Sequence, residues 1–175
     1  MEYNSILRNI NAIFIAQIMI LDRTDKKILE ILQSNCEINN QELAELVALS
    51  PSSCLRRVKL LTDNGYIKKQ VALLEPEKVG LKLTVIVLVG LNNHQPEIMN
   101  QFEKTIQLFP EVIQCYLITG QSADYLLKII VPDLNAYQAF LLGKLTRING
   151  VASVHSSFIL RNVSDTTTLP LDHLD

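Results

Sequence analysis

Between Leu49 and Ile67 the chain reads LSPSSCLRRVKLLTDNGYI, which sets Arg56, Arg57 and Lys59 close together, with Lys68 and Lys69 just beyond. Guanidinium and ammonium groups at this density do one kind of chemistry well: they hold anions. Arginine grips a phosphate or a guanine edge through paired hydrogen bonds, and lysine meets phosphate as a point charge. Ser50, Ser52 and Ser53 precede the cations. Small hydroxyl residues at a helix start let that end approach a groove closely, where free backbone N–H groups donate to phosphate oxygens. From Cys54 to Gln70 five basic residues stand against one acid, Asp63, whereas after Gly80 there are six basic residues and eight acidic ones. A net charge of −2 thus conceals a local basic patch, the distribution expected for site-restricted contact with a polyanion. The competing reading is a helix face that is charged only to stay solvated.

The surrounding elements favour the first reading. In LDRTDKKILEILQSN, Asp22 is a helix cap with Asp25 three residues on, and Ile28, Leu29 and Leu32 form one apolar stripe. In NNQELAELVALS, Asn39 caps a second helix with Glu42 at the third position, and Leu43, Leu46 and Val47 supply its buried face. A third helix follows a tight turn at Ala48 and Leu49. Ser50 is its cap, Pro51 its first residue, and Gly65 ends it. Leu55, Val58 and Leu61 are expected to face inward, leaving Ser52, Ser53, Arg56, Arg57 and Lys59 mostly outside. This is a helix-turn-helix arrangement. GYIKKQVALLEP then reads as a wing or connecting strand carrying Lys68 and Lys69.

Beyond a linker over residues 75–82 the periodicity changes. LTVIVLVGL is a continuous apolar strand, and PEIMNQFEKTIQLFP is a helix with Ile98, Met99, Phe102 and Ile106 on one face. EVIQCYLITG and DYLLKIIVP are two strands. A helix capped by Asp133 buries Leu134, Tyr137, Phe140, Leu141 and Leu145 and stops at Gly150, and VASVHSSFIL is a last strand. The order β-α-β-β-α-β is the ferredoxin-like plan, so the fold class is α+β: a winged helix-turn-helix followed by a ferredoxin-like domain. Right-handed crossovers put both helices on one sheet face. The first and third strands, central in this plan, are apolar on both faces. The fourth alternates, with Ala152, Val154, Phe158 and Leu160 opposed to Ser153, His155 and Ser157. An apolar sheet face open to water is an association site, so sheet-to-sheet homodimerisation is expected.

Other chemistries find little support. His94, His155 and His173 stand far apart without ligand-spaced partners, and no Gly-rich phosphate loop or nucleophile turn occurs. No metal, cofactor or catalytic residue is expected, and the chain reads as a non-enzyme. Cys36, Cys54 and Cys115 form no C-x-x-C, and reduced, buried thiols in a cytoplasmic protein are the plain reading. INAIFIAQIMIL, near the start, is shorter than the ~20 apolar residues that span a bilayer and lacks a signal-peptide pattern. No membrane partner is expected, and residues 1–18 read as an extension or an extra packing helix.

LDRTDKKILEILQSN, ELAELVALSPSSCLRRVKLLTDNGYI, DYLLKIIVPDLNAYQAFL and the tail TTTLPL together resemble the Lrp/AsnC family of bacterial and archaeal transcription regulators, in order and spacing from about Met19 to Leu171. The resemblance implies a DNA-binding domain over 19–74, an effector-sensing and oligomerising domain over 83–163, and a tail over 164–175. It implies double-stranded DNA and an amino acid as partners, and self-assembly into dimers or octamers. Arg57 and Lys59 match positions commonly basic in the family, and Arg56 stands where a well-known pattern has an acid. The family's effector turn, commonly Gly-x-x-Asp-Tyr, corresponds here to Thr119, Gly120, Gln121, Ser122, Ala123, Asp124 and Tyr125, with one extra residue. Glycine there offers backbone N–H groups to a carboxylate. Asp124 either takes an ammonium or only braces the turn. A ferredoxin-like enzyme and an interaction module with a vestigial helix-turn-helix are the alternatives. The first lacks convergent acid, base or nucleophile groups, and the basic run argues against the second.

Overall fold

The computed structural model describes residues 21–120 and 123–174, which form two compact units. The first comprises residues 21–72 and, from the far end of the chain, residues 165–174. Its helices are α1 (Arg23–Ser34), α2 (Asn40–Leu46) and α3 (Pro51–Asp63). Each starts on the expected cap. Asp22 accepts from the Asp25 amide at 2.8 Å while its own amide donates to Asp25 Oδ2 at 3.2 Å, a full capping box. Asn39 Oδ1 takes the amides of Gln41 and Glu42, and Ser50 Oγ that of Ser53. Ile28, Leu29, Leu43, Ala44, Val47, Cys54 and Leu61 close the core, joined by Val58, Ile67 and, from the tail, Leu171. The tail is held further by Gln33, whose Oε1 accepts from the Leu169 amide at 2.7 Å.

Four details differ from the sequence reading. Leu55 is 59% exposed and Leu46 52% exposed, so neither is a core residue. Cys54 takes the inward place expected of Leu55, because a thiol is small enough for α3 to approach its neighbours. Residues 68–75 belong to no strand, so Lys68 and Lys69 lie on an irregular segment rather than a connecting strand. Among the cysteines only Cys54 is buried; Cys36 and Cys115 are exposed.

The second unit, Leu73–Ser164, runs β1 (Leu83–Leu91), α4 (Pro96–Ile106), β2 (Val112–Leu117), β3 (Tyr125–Val131), α5 (Leu134–Gly143) and β4 (Val151–Phe158). The antiparallel sheet has the order β2-β3-β1-β4, with the first and third strands central as expected. Val85, Val87 and Val89 of β1 and Leu127, Ile129 and Val131 of β3 pack with Phe102 and Ile106 of α4 and Tyr137 and Phe140 of α5, so both helices cover one face. Leu134 is 60% exposed instead of buried, since only one flank of α5 meets the sheet. The β1–β4 pairing shifts register between Gly90 and Leu91. Val154 packs against the core and Phe158, though 44% exposed, sets its ring edge-on to Tyr137 on the same side of β4, while Ala152 and Leu160 are exposed. On the open face β1 and β3 place Ile86, Leu88, Leu126 and Ile130, all half-buried, around Lys128.

Candidate nucleic-acid interface

The start of α3 is a cluster of hydroxyls. Ser50 Oγ accepts from the Ser53 amide at 3.3 Å, bonds Ser53 Oγ at 2.9 Å and lies 3.3 Å from Ser52 Oγ. Asn40 Nδ2 donates to the Pro51 carbonyl at 2.8 Å, which pins the start of α3 to the start of α2. The turn between them places Ala48 at φ 54°, in the left-handed region, and the Leu49 amide returns to the Ala44 carbonyl at 2.9 Å. These bonds set the angle at which α3 leaves the turn. Ser52, Arg56 and Lys59 are exposed along its outer side, and Leu55 joins them there. Lys68 and Lys69 are exposed as well. The outer surface of α3 thus combines cations, hydroxyls and one aliphatic side chain at helical spacing.

Arg57 is placed differently. Its Nη1 donates to Oδ1 of Asp25 at 2.7 Å and lies 2.7 Å from Oδ2 of Asp22. Asp25 is 2% exposed and the only buried charged residue among the described residues. Hydrogen bonds to Asp25 and Asp22 hold the guanidinium above its ordinary pKa. The Asp22 carboxyl is held below its usual value, first by the Asp25 amide and then by Arg57. The expectation that Arg57 lies mostly on the outer face is therefore corrected: its half-buried side chain ties α3 to the first turn of α1. The sequence reading missed this because the partners lie 32 residues apart, and no local pattern links them.

The turn joining β2 to β3 is also braced from within. Asp124 Oδ2 accepts from the Leu91 amide at 2.7 Å, and its Oδ1 lies 2.7 Å from His94 Nε2. The Ile118 amide donates to the Asp124 carbonyl, and the Asp124 amide to that of Val89. Gly120 sits at φ 89°, a conformation that favours glycine. Thr119, Gly120 and Ala123 are described, whereas Gln121 and Ser122 lie outside the described residues. Tyr125 faces the core, 1% exposed, with its ring 4.5 Å from that of Phe102 and its hydroxyl donating to Glu103 Oε1 at 2.8 Å. Burial and the neighbouring carboxylate push the phenol well above its ordinary pKa. Of the two roles open to Asp124, the structure displays the brace.

Residues 21–68 match a winged helix-turn-helix DNA-binding domain and residues 84–169 the Lrp/AsnC ligand binding domain. The chain is 35% identical over 156 residues to the transcriptional regulator AzlB of Bacillus subtilis (strain 168), a match covering 89% of this chain and 99% of that protein. The chain belongs to the Lrp/AsnC family. This Lrp/AsnC protein is 37% identical over 152 residues to the DNA-binding transcriptional activator DecR of Escherichia coli (strain K12), across 87% of its own length and 99% of DecR. Its fold matches that of a Neisseria meningitidis transcriptional regulator solved in complex with L-Met, with a TM-score of 0.84 and 44% identity, covering 88% and 99% of the two chains. An AsnC family regulator of Agrobacterium tumefaciens follows at a TM-score of 0.83 and 39% identity, covering 87% and 99%. Like these relatives, the Lrp/AsnC protein described here is a DNA-binding transcription regulator. No helix among the described residues is long and apolar enough to cross a membrane.

Proposed function

We propose that this regulator inserts the N-terminal half of α3 into the DNA major groove and that an amino acid bound near the Gly120–Tyr125 turn modulates the interaction. The observation that carries the DNA reading is the outer stripe of α3. Among the described residues, Arg56 and Lys59 are exposed there beside Ser52 with no ion pair to a neighbouring acid. Ser50 and Ser53 hold the helix start, and Lys68 and Lys69 contribute flanking phosphate contacts. Arg57 acts from behind, fixing the helix rather than leading the contact.

The protein acts in the cytoplasm as a homodimer, with octamers as a further closed assembly. Support for pairing comes from the apolar open face of the sheet, since an uncovered patch of this kind is a typical association surface. Two recognition helices in a symmetric pair reach successive major grooves about 34–36 Å apart and call for an imperfect palindrome. An amino acid effector follows from the L-Met complex of the Neisseria regulator. It would act by favouring one assembly or DNA-competent geometry, a coupling typically of about 1–3 kcal/mol. Fluorescence anisotropy with duplex DNA from the chain's own upstream region, with and without L-methionine or L-leucine, tests the whole reading. A reproducible change in affinity supports it. Tight DNA binding that no amino acid alters removes the effector, and absence of binding removes the operator reading.

A further inference from the structure

Of the exposed aliphatic side chains of the first unit, one lies in the N-terminal half of α3, among its cations and hydroxyls. Leu55 is 59% exposed in the second turn of α3, flanked by Ser52, Arg56 and Lys59. The spacing Ser52, Leu55, Arg56, Lys59 is the i, i+3, i+4, i+7 pattern of one helix face. The opposite face is already closed by Cys54, Val58 and Leu61. Leu60 is also exposed, at 42%, but belongs to the last turn of the helix. In helix-turn-helix docking it is the N-terminal part of the recognition helix that meets base edges.

We infer that Leu55 is a specificity-determining residue that packs against the C5-methyl group of a thymine in the operator. This rests on the proposal that α3 enters the major groove. A leucine side chain has no hydrogen-bond donor or acceptor, and among the base edges of that groove only the thymine methyl offers an apolar surface. Arg56 and Lys59, which follow it in the same stripe, hold the helix at phosphate and base-edge distance, so the leucine is carried into the groove with them. Their chemistry selects guanine or grips backbone. Leu55 selects thymine within the same short reach.

The test starts from duplexes selected by the full-length protein from a random DNA library. Each thymine of the selected site is then replaced singly by deoxyuridine, which deletes only the methyl group. Affinities are measured by anisotropy for the wild type, Leu55→Ala and Leu55→Met. One thymine per half-site should lose about three- to fivefold in wild-type affinity on replacement, the worth of a buried methyl. Leu55→Ala should abolish that penalty and Leu55→Met should keep it, a coupling that general misfolding does not imitate. If every deoxyuridine penalty is unchanged in Leu55→Ala, the inference is overturned even though Arg56→Ala and Lys59→Ala reduce affinity and salt slope. If those two variants change neither, α3 is not the contact helix, and this inference falls with that reading.

Discussion

Arg57 on α3 and Asp25 on α1 meet at 2.7 Å, and they join a buried carboxylate to a guanidinium that is 29% exposed. Removing one partner of such a pair strands the other in a poorly solvated place, typically at a cost of about 3–5 kcal/mol when both are fully buried. Arg57 retains some solvent, so Arg57→Ala should lower the stability of the DNA-binding unit by about 2–3 kcal/mol. Thermal melts followed by circular dichroism measure this. Arg57→Lys should recover only part of it, because the lysine side chain ends one bond short of Nη1, the single nitrogen that contacts both carboxylates. A melting temperature equal to wild type in Arg57→Ala would remove the structural role.

The exposed cations of α3 should behave in the opposite way. Arg56→Ala and Lys59→Ala remove no ion pair among the described residues and should leave the melting temperature nearly unchanged. Each should weaken DNA binding, and where the lost contact is to phosphate the slope of log K against log salt should flatten by about 0.9. Anisotropy titrations at four salt concentrations separate the two behaviours. An unchanged slope together with relaxed sequence preference would mark the residue as a base reader instead.

Acid should loosen the junction of α1 with α3. The Asp22 carboxyl is held below its ordinary value of 3.8 by the Asp25 amide and then by Arg57. A carboxyl with a depressed folded-state pKa contributes stability that is complete above its unfolded value. That contribution is lost as pH falls through the folded value. Melting temperatures of the wild type should therefore drop more steeply below about pH 4 than those of Asp22→Asn, which keeps an N-cap but has no carboxyl to protonate. Parallel pH profiles for the two proteins would show that Asp22 plays no part in the acid response.

The balance between what was legible and what was not follows from how far each signal reaches. The caps at Asp22, Asn39, Ser50 and Asp133 each depend on residues two or three positions away, and the structure shows all four in use. The strand order followed from the alternation of apolar strands and amphipathic helices. On α3 the adjacent apolar residues Cys54 and Leu55 compete for the inward place, and the apolar spacing points to Leu55, whereas the fold buries Cys54. The partners of Asp124 leave no local signal, because His94 is 30 residues away and the Leu91 amide 33. Ala48 gave no warning either, since the left-handed turn conformation is usually signalled by glycine or asparagine.

That alanine offers a stabilising change. Ala48 is exposed at φ 54°, where a Cβ costs roughly 1–2 kcal/mol. Glycine relieves the strain but adds about 0.4–1 kcal/mol of chain entropy to the unfolded state. Ala48→Gly should therefore stabilise the unit by up to about 1.5 kcal/mol and raise its melting temperature by a few degrees. Ala48→Val, with branching at the strained position, should lower it. The reverse order would show that the turn relaxes away from this conformation.

The brace at Asp124 separates two contributions. His94 is 66% exposed, and its pairing with Asp124 resembles a surface ion pair, typically worth under about 1 kcal/mol. The Leu91 amide is part-buried, and leaving it without an acceptor costs about 1–2 kcal/mol. Asp124→Ala should be clearly less stable than His94→Ala, and Asp124→Asn should sit between wild type and Asp124→Ala by keeping one acceptor oxygen. If the turn positions an amino acid, L-methionine response should weaken in Asp124→Ala and persist in His94→Ala. Equal responses in both would place the effector elsewhere.

The open sheet face gives the last prediction. Register pairing aligns Tyr116, Leu126, Leu88 and His155 in one row across the four strands. Gln114, Lys128, Ile86 and Ser157 form the next row. In a face-to-face pair the two central leucines of the first row lie in the driest part of the contact. Leu88→Glu would bury a carboxylate there in each copy, and Lys128 in the neighbouring row would offset only part of a cost of several kcal/mol per ion. Sedimentation velocity at micromolar concentration should show a dimer or larger assembly for the wild type and a monomer for Leu88→Glu, with far-ultraviolet circular dichroism confirming that the variant is folded. His155→Glu, at the edge of the same row, should shift the equilibrium far less, because the rim stays wet. Assembly unaffected by Leu88→Glu would mean that the copies meet through another surface and that this face is covered in some other way.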